Sequence, residues 1–264
     1  MNEVYAAAPS LLKVFRTCLG VAADSPLWPW LPLAAVRGPT PRSGPLLHDL
    51  LLPTPDAPDR IGVNVFGHGS DAPIRALVDA HSPTACRPLL RAVQHARWNA
   101  GFYVDMFGLR LKLYLTGDLR AALTQWPKGL PPCQPMALGV DLTEDGPQRH
   151  RVYVMANDRS CAALQDGWSF ATPMPWPPQH PAVSHGLLTA GVYTQKRTRN
   201  WIFRPDAPLS LLREALPSDH QLALDAVTAH PLPAGVVWAP VALEADSYAD
   251  GLVSLDWLLT TRFA

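Results

Sequence analysis

Leu109-Arg110-Leu111-Lys112-Leu113-Tyr114-Leu115-Thr116 alternates without a break. Side chains two apart on an extended chain share a face, so Arg110, Lys112 and Tyr114 stand on one side and Leu111, Leu113 and Leu115 on the other. The stretch reads as a strand with an apolar face that needs a cover and a cationic face that carries no acid. About forty residues later Arg149-His150-Arg151-Val152-Tyr153-Val154 repeats the pattern, with Arg149, Arg151 and Tyr153 together.

Working outward, the chain reads as further copies of this unit. Strands are predicted in pairs over residues 46–52 and 60–66, 101–106 and 109–116, 136–142 and 149–155, 187–193 and 199–203, and 235–243 and 252–261. Helical periodicity lies between and before them: residues 4–19, 73–97 with a break at Ser82-Pro83, 119–126 behind Asp118 as N-cap, 161–166, 209–216 and 222–229. Proline-rich connections fill 24–42, 127–135 and 168–181. A two-stranded pair cannot bury a face alone, so the pairs must join edge to edge and take helices over their apolar side. Ten antiparallel strands can close and so remove both sheet edges. About eight strands already fill a barrel with their own side chains, so ten leave room for a ligand against the polar face. The expected architecture is therefore α+β: a ten-stranded antiparallel β-barrel of five ααββ-type repeats, helices outside, in one domain over residues 1–264.

Composition bounds the partners. The chain has 264 residues, 48% of them hydrophobic, which suffices for a large core. Lys plus Arg and Asp plus Glu number 22 each, so no global field draws it to nucleic acid or to a membrane surface. Any cationic site must be local. Cys18, Cys86, Cys133 and Cys161 form no Cys-x-x-Cys pair, so neither a zinc site nor a disulfide framework is signalled. His180 and His185 are five apart in a proline-rich loop and read as ordinary loop histidines. Lys13 and Arg16 interrupt the first apolar run, and a soluble, cytoplasmic monomer is the expectation.

The order of these units resembles the ααββ-barrel prenyltransferases, and most closely the cyanobactin-type enzymes that prenylate ribosomal peptides. The resemblance rests on the five-unit order, on Gly139-Val140-Asp141-Leu142 before a basic strand, on the Arg-x-Lys-x-Tyr and Arg-x-Arg-x-Tyr strands, and on the terminal pair opening at Gly235-Val236-Val237-Trp238. It implies a prenyl diphosphate donor, a peptide acceptor, Mg²⁺, and an allylic cation formed in the lumen. No Asp-rich metal motif is present.

A cationic strand face is commonly a solvated one. A solvated face mixes its charges, however, and like charges on neighbouring strands repel unless an anion lies between them. Arg110, Lys112, Arg149 and Arg151 are therefore expected to bind diphosphate, with Arg60 from the first pair and with Tyr114 and Tyr153 as hydroxyl donors whose rings shield the cation. Tyr193, Arg199, Trp201, Trp238 and Asp256 are expected in the cation and acceptor pocket. The resemblance places a Glu on the first strand; here that region is Leu47-His48-Asp49-Leu50, so His48 or Asp49 is the expected base, with Asp105 and Asp141 as alternatives. The last strand departs from the family's tyrosines, presenting Ser254, Asp256, Leu258 and Thr260 on its polar face. Asp256 there would serve a guanidinium, an amine or Mg²⁺. Two other readings of the same barrel are a prenyltransferase of small aromatics and a non-catalytic binder of an anionic ligand or peptide.

Overall fold

The structure, a computed structural model, describes residues 46–52, 54–56, 61–67, 71–105, 108–124, 135–155, 181–191, 197–232, 234–247 and 253–263. The expected helices at 4–19 and 161–166, Arg60 and Tyr193 lie outside these residues. Ten strands, β1 (Leu46–Leu51), β2 (Ile61–Gly67), β3 (Arg97–Asp105), β4 (Gly108–Thr116), β5 (Ala137–Thr143), β6 (Gly146–Met155), β7 (Val183–Gly191), β8 (Arg197–Phe203), β9 (Val236–Ser247) and β10 (Val253–Phe263), form a closed barrel. Every neighbouring pair is antiparallel. β1 closes the ring onto β10 through Leu50 opposite Leu259 and Leu51 opposite Leu258. The expected barrel is thus observed, although β3, β6, β7 and β9 begin or end several residues beyond the predicted limits.

Helices fill the longer connections. Between β2 and β3 run α1 (Ala72–His81), a 3₁₀ turn (Thr84–Cys86) and α2 (Arg87–Ala92); α3 (Arg120–Leu123) follows β4; α4 (Leu209–Ala215) and α5 (Ser218–Thr228) join β8 to β9. Ile74, Leu77 and Val78 recur at helical spacing on α1, and Ile74 and Val78 are fully buried against the outside of the barrel. Ser82, extended ahead of Pro83, ends that helix. Asp118 accepts the Arg120 N–H at 3.1 Å, so the side-chain cap comes one residue ahead of Leu119, which directly precedes the helix. No helix among the described residues is long and apolar enough to cross a membrane.

The hydrophobic core lies between this helical cover and the outward strand faces. Leu111, Leu113 and Leu115 of β4, Val152 and Val154 of β6, Trp201 of β8 and Trp257 of β10 all belong to it. Alternation therefore fixes what faces inward: wherever the apolar set is outside, its polar neighbours line the lumen.

A clamp ties α1 to β3. The Arg75 guanidinium donates to Asp71 Oδ2 from Nε at 3.1 Å and Nη2 at 2.8 Å, and lies 4.5 Å from the centre of the Trp98 ring. The Trp98 N–H donates to the same Asp71 oxygen at 2.8 Å. Partial burial raises the Asp71 carboxyl, but Arg75 and the Trp98 N–H outweigh it and hold it below the usual carboxylate range. A depressed carboxyl stabilises the fold above its unfolded value, near 3.8, and that contribution fades as the pH falls from there through the folded value. Asp71→Asn is expected to lose about 1–3 kcal/mol in denaturant titrations at pH 7, with the gap to the native chain narrowing below pH ~3. An equal gap at both pH values would refute the charged role.

Candidate active site in the barrel lumen

The lumen encloses a cavity of about 290 Å³. Strands β3 to β6 give it one wall. Arg110, Lys112 and Tyr114 enter from β4, Arg151 and Tyr153 from β6, and Tyr103 from β3, all lining the cavity. They arrive together because β4, β5 and β6 are consecutive and in register: Lys112 pairs with Asp141, Tyr114 with Gly139, and Gly139 with Arg151.

Three glycines on the lumen face make room for the aromatic rings: a Cβ on Gly62 would lie 2.5 Å from Tyr103 Cδ1. A Cβ on Gly101 would lie 2.6 Å from Tyr103 Cε2 and 2.7 Å from Asn64 Oδ1. On Gly139 it would meet Tyr153 Cε2 at 3.0 Å and Lys112 Cε at 3.5 Å. The Tyr103 hydroxyl donates to Asn64 Oδ1 and lies 2.7 Å from the Tyr114 hydroxyl. The Tyr114 and Tyr153 rings are 5.9 Å apart with a 55° tilt. Above them the Lys112 ammonium stands 4.8 Å from the Tyr114 centre and 6.0 Å from the Tyr153 centre. Negative ring faces and a cation attract, so this corner of the lumen already stabilises positive charge.

The tyrosines remain protonated. Burial pushes the Tyr114 hydroxyl well above its ordinary value, and Tyr103, Tyr153 and Glu244 add to the shift. Burial likewise raises Tyr153, with Arg151 pulling the other way. Both are therefore hydrogen-bond donors at neutral pH. Burial acts against the Arg151 charge, but Tyr153 and Asp141 more than offset it, and the guanidinium stays ionised. Asp141, almost fully buried, lies 3.4 Å from Arg151 Nη1 and 3.7 Å from Arg149 Nη1. Its carboxylate holds guanidinium groups in place. Burial lowers the neighbouring His150 against the pull of Asp141 and favours the neutral imidazole.

The chain is similar to two solved structures of prenyltransferase PriB. The apo form matches at 16% identity over 98% of this chain and 91% of that one, with a TM-score of 0.46. A binary complex of PriB with product diphosphate matches at 17% identity over the same shares, with a TM-score of 0.49. No family model and no curated protein matches the chain.

Four expectations need correction. Arg149 does not continue the inward face of β6: it sits at φ 49° beside a bulge between Gly139 and Asp141, its side chain 47% exposed, and reaches the site only through Asp141. Arg199 and Trp201 point away from the lumen. Trp201 is in the outer core, with the Arg199 guanidinium 5.4 Å from its ring, and the lumen receives Thr198, Asn200 and Ile202 instead. Trp238 also belongs to the outer core. Asp256 keeps the expected parity: it is buried on the face of Leu258, directly opposite Glu244, and accepts Thr54 Oγ1 at 3.5 Å. On β1, His48 is opposite Val65 and Asp49 opposite Asn64, while the side chains of His48, Asp49 and Asp105 lie outside the described residues.

Sequence reading missed Tyr103, Asn200 and Glu244, all cavity-lining. Glu244 was legible: Ala242, Glu244 and Asp246 alternate with Leu243 and Ala245, and extending the predicted strand past Leu243 finds them.

Proposed function

We propose that the protein transfers a prenyl group from dimethylallyl or a longer allylic diphosphate to a peptide side chain. The observation that carries this reading is the convergence of Arg110, Lys112 and Arg151 with the tyrosine hydroxyls on one wall of the lumen cavity. Arginine forks match phosphate oxygens, lysine adds a point charge, and Tyr114 and Tyr153 donate hydrogen bonds. As the allylic C–O bond breaks, its electron pair leaves on the diphosphate, where the cations and hydroxyls meet the developing charge. The faces of Tyr114 and Tyr153 shelter the allyl cation, in the way they already hold the Lys112 ammonium. Barrel walls keep water from quenching it.

The peptide acceptor is supported by the sequence resemblance alone. Mg²⁺ is likewise implied only there: among the described residues no group of three or more His, Cys, Asp or Glu could hold a metal, so the ion would travel on the diphosphate oxygens. Arg60 and Tyr193 are proposed donor and pocket residues from the first and fourth strand pairs, and His48 or Asp49 the proton acceptor on β1.

Calorimetry with the non-ionising thiodiphosphate analogues of dimethylallyl and geranyl diphosphate, with and without Mg²⁺, tests the donor site. Binding in the micromolar range by the folded chain is expected. Heat of binding from neither analogue, in either condition, would overturn the reading.

A further inference from the structure

On the outside of the barrel, residues of α1, of α2 and of the start of β3 line a groove of about 440 Å³. Leu90 and Trp98, both buried, give it apolar surface, while Asp79, Arg87, Arg91 and Gln94 around them are exposed. Trp98 faces this groove and Asn99, the next residue of β3, lines the lumen, so groove and lumen lie on opposite faces of one strand.

Charge is uneven here. The segment from Asp71 to Trp98 holds Arg75, Arg87, Arg91 and Arg97 against Asp71 and Asp79, in a chain whose charges balance overall. Arg75 and Asp71 are committed to each other, and Arg75 Nη2 also donates to the Ala96 carbonyl. Arg87 and Arg91 differ: among the described residues neither side chain makes a hydrogen bond or ion pair, and Asp79 pairs with neither. They stand four apart on α2, where like charges on one helix face repel. No acid lies three or four residues from either of them, so the helix offers no neutralising partner of its own.

Two guanidinium groups beside a buried tryptophan and leucine have the make-up of a protein-recognition patch, with an apolar centre and arginine at its rim. The balanced net charge supplies no long-range field for a polyanion such as nucleic acid, whereas each guanidinium fork takes one carboxylate. Side chains four apart on a helix are about 5–6 Å apart at Cβ, and residues two apart on an extended chain share a face at about 6.6–7 Å. An extended segment with acids at alternate positions therefore matches the pair.

We infer that this groove docks an acidic peptide segment, with two carboxylates in Glu-x-Glu spacing on Arg87 and Arg91 and an apolar side chain beside Leu90 and Trp98. The inference goes beyond prenyl transfer and does not depend on it, since no residue lining the groove lines the lumen cavity.

The test is fluorescence anisotropy with the fluorescein-labelled peptide Glu-Leu-Glu-Gly-Glu-Leu-Glu-Gly, its counterpart with glutamine for every glutamate, and an oligothymidylate of the same length. The glutamate peptide is expected to bind the native chain about tenfold or more tighter than the glutamine peptide. Raising the salt from about 50 to about 300 mM should weaken it several-fold, because exposed charges are screened within about 10 Å at 0.1 M. Arg87→Gln with Arg91→Gln should erase the difference between the two peptides, and Arg87→Glu with Arg91→Glu should abolish binding of the acidic one. Arg120→Glu with Arg204→Glu, the same charge change at two exposed positions elsewhere, should leave it intact. Circular dichroism checks that each variant is folded. The inference is overturned by equal affinity for the two peptides, by no binding of the acidic one up to about 1 mM, by binding that survives in the folded Arg87→Glu, Arg91→Glu chain, or by tighter capture of the oligothymidylate.

Discussion

Lys112→Ala and Arg151→Ala are each expected to lower prenyl transfer about 10²–10³-fold, the loss that follows when one direct donor to a developing negative charge is deleted. The leaving diphosphate carries most of the charge that builds up in an ionising step, so its contacts weigh more on turnover than on ground-state binding. Lys112 reaches the lumen from the middle of β4 and stands over the rings of Tyr114 and Tyr153, so its loss removes the proposed phosphate contact and the charge held over those rings. Arg151 differs in having a partner at 3.4 Å in Asp141. Removing it leaves a buried carboxylate whose remaining ion pair among the described residues is with the exposed Arg149, so Arg151→Lys, which keeps the charge and loses the fork, separates support of Asp141 from recognition of phosphate. Steady-state kinetics with circular dichroism as a folding control decide the matter. Folded Lys112→Ala, Arg151→Ala and Arg110→Ala chains that all turn over at the native rate would show that the donor sits elsewhere.

Trp257→Ala is expected to destabilise the barrel by about 3–5 kcal/mol, the range for emptying a large aromatic site in a core. Trp257 is fully buried on the outward face of β10, in the same core as Trp201 and Leu259. Neighbours can close around the void only in part, because strand spacing is fixed by the hydrogen bonds of β9 and β10. Urea unfolding at constant m-value measures the loss. Trp257→Phe should cost much less, since most of the volume is retained. A loss below about 1 kcal/mol for the alanine variant would mean that β10 does not carry the core on that face.

Strand alternation made the barrel legible wherever one face was wholly apolar. Leu111, Leu113 and Leu115 could be buried only together, so Arg110, Lys112 and Tyr114 had to share the lumen. β8 was read one residue out because both of its faces hold something polar: Arg199 with Trp201 on one, Thr198 with Asn200 on the other. Charge alone places Arg199 inward there. The actual arrangement stacks Arg199 on Trp201 outside and leaves the small polar residues inside, a choice set by the tertiary cover and absent from local pattern. The bulge that turns Arg149 outward has no sequence mark of its own, since Arg149 is a non-glycine residue at positive φ. Glu244 escaped through a strand boundary drawn too early.

The join between β1 and β10 has a kinetic meaning. Their described register is two residue pairs, Leu50 with Leu259 and Leu51 with Leu258, whereas β9 and β10 run side by side from Ser247–Val253 to Val236–Phe263. Hairpins such as β3–β4 close over a few residues, while the seam brings together the two extremes of the described chain and bears the largest loop-closure entropy. Folding should therefore build a curved open sheet first and zip the ring last. The same joint, short and with few pairs to break, is where the native ring would part first, so amide exchange along β1 should outpace that of β9 and the lumen would be reached sideways as well as through its ends.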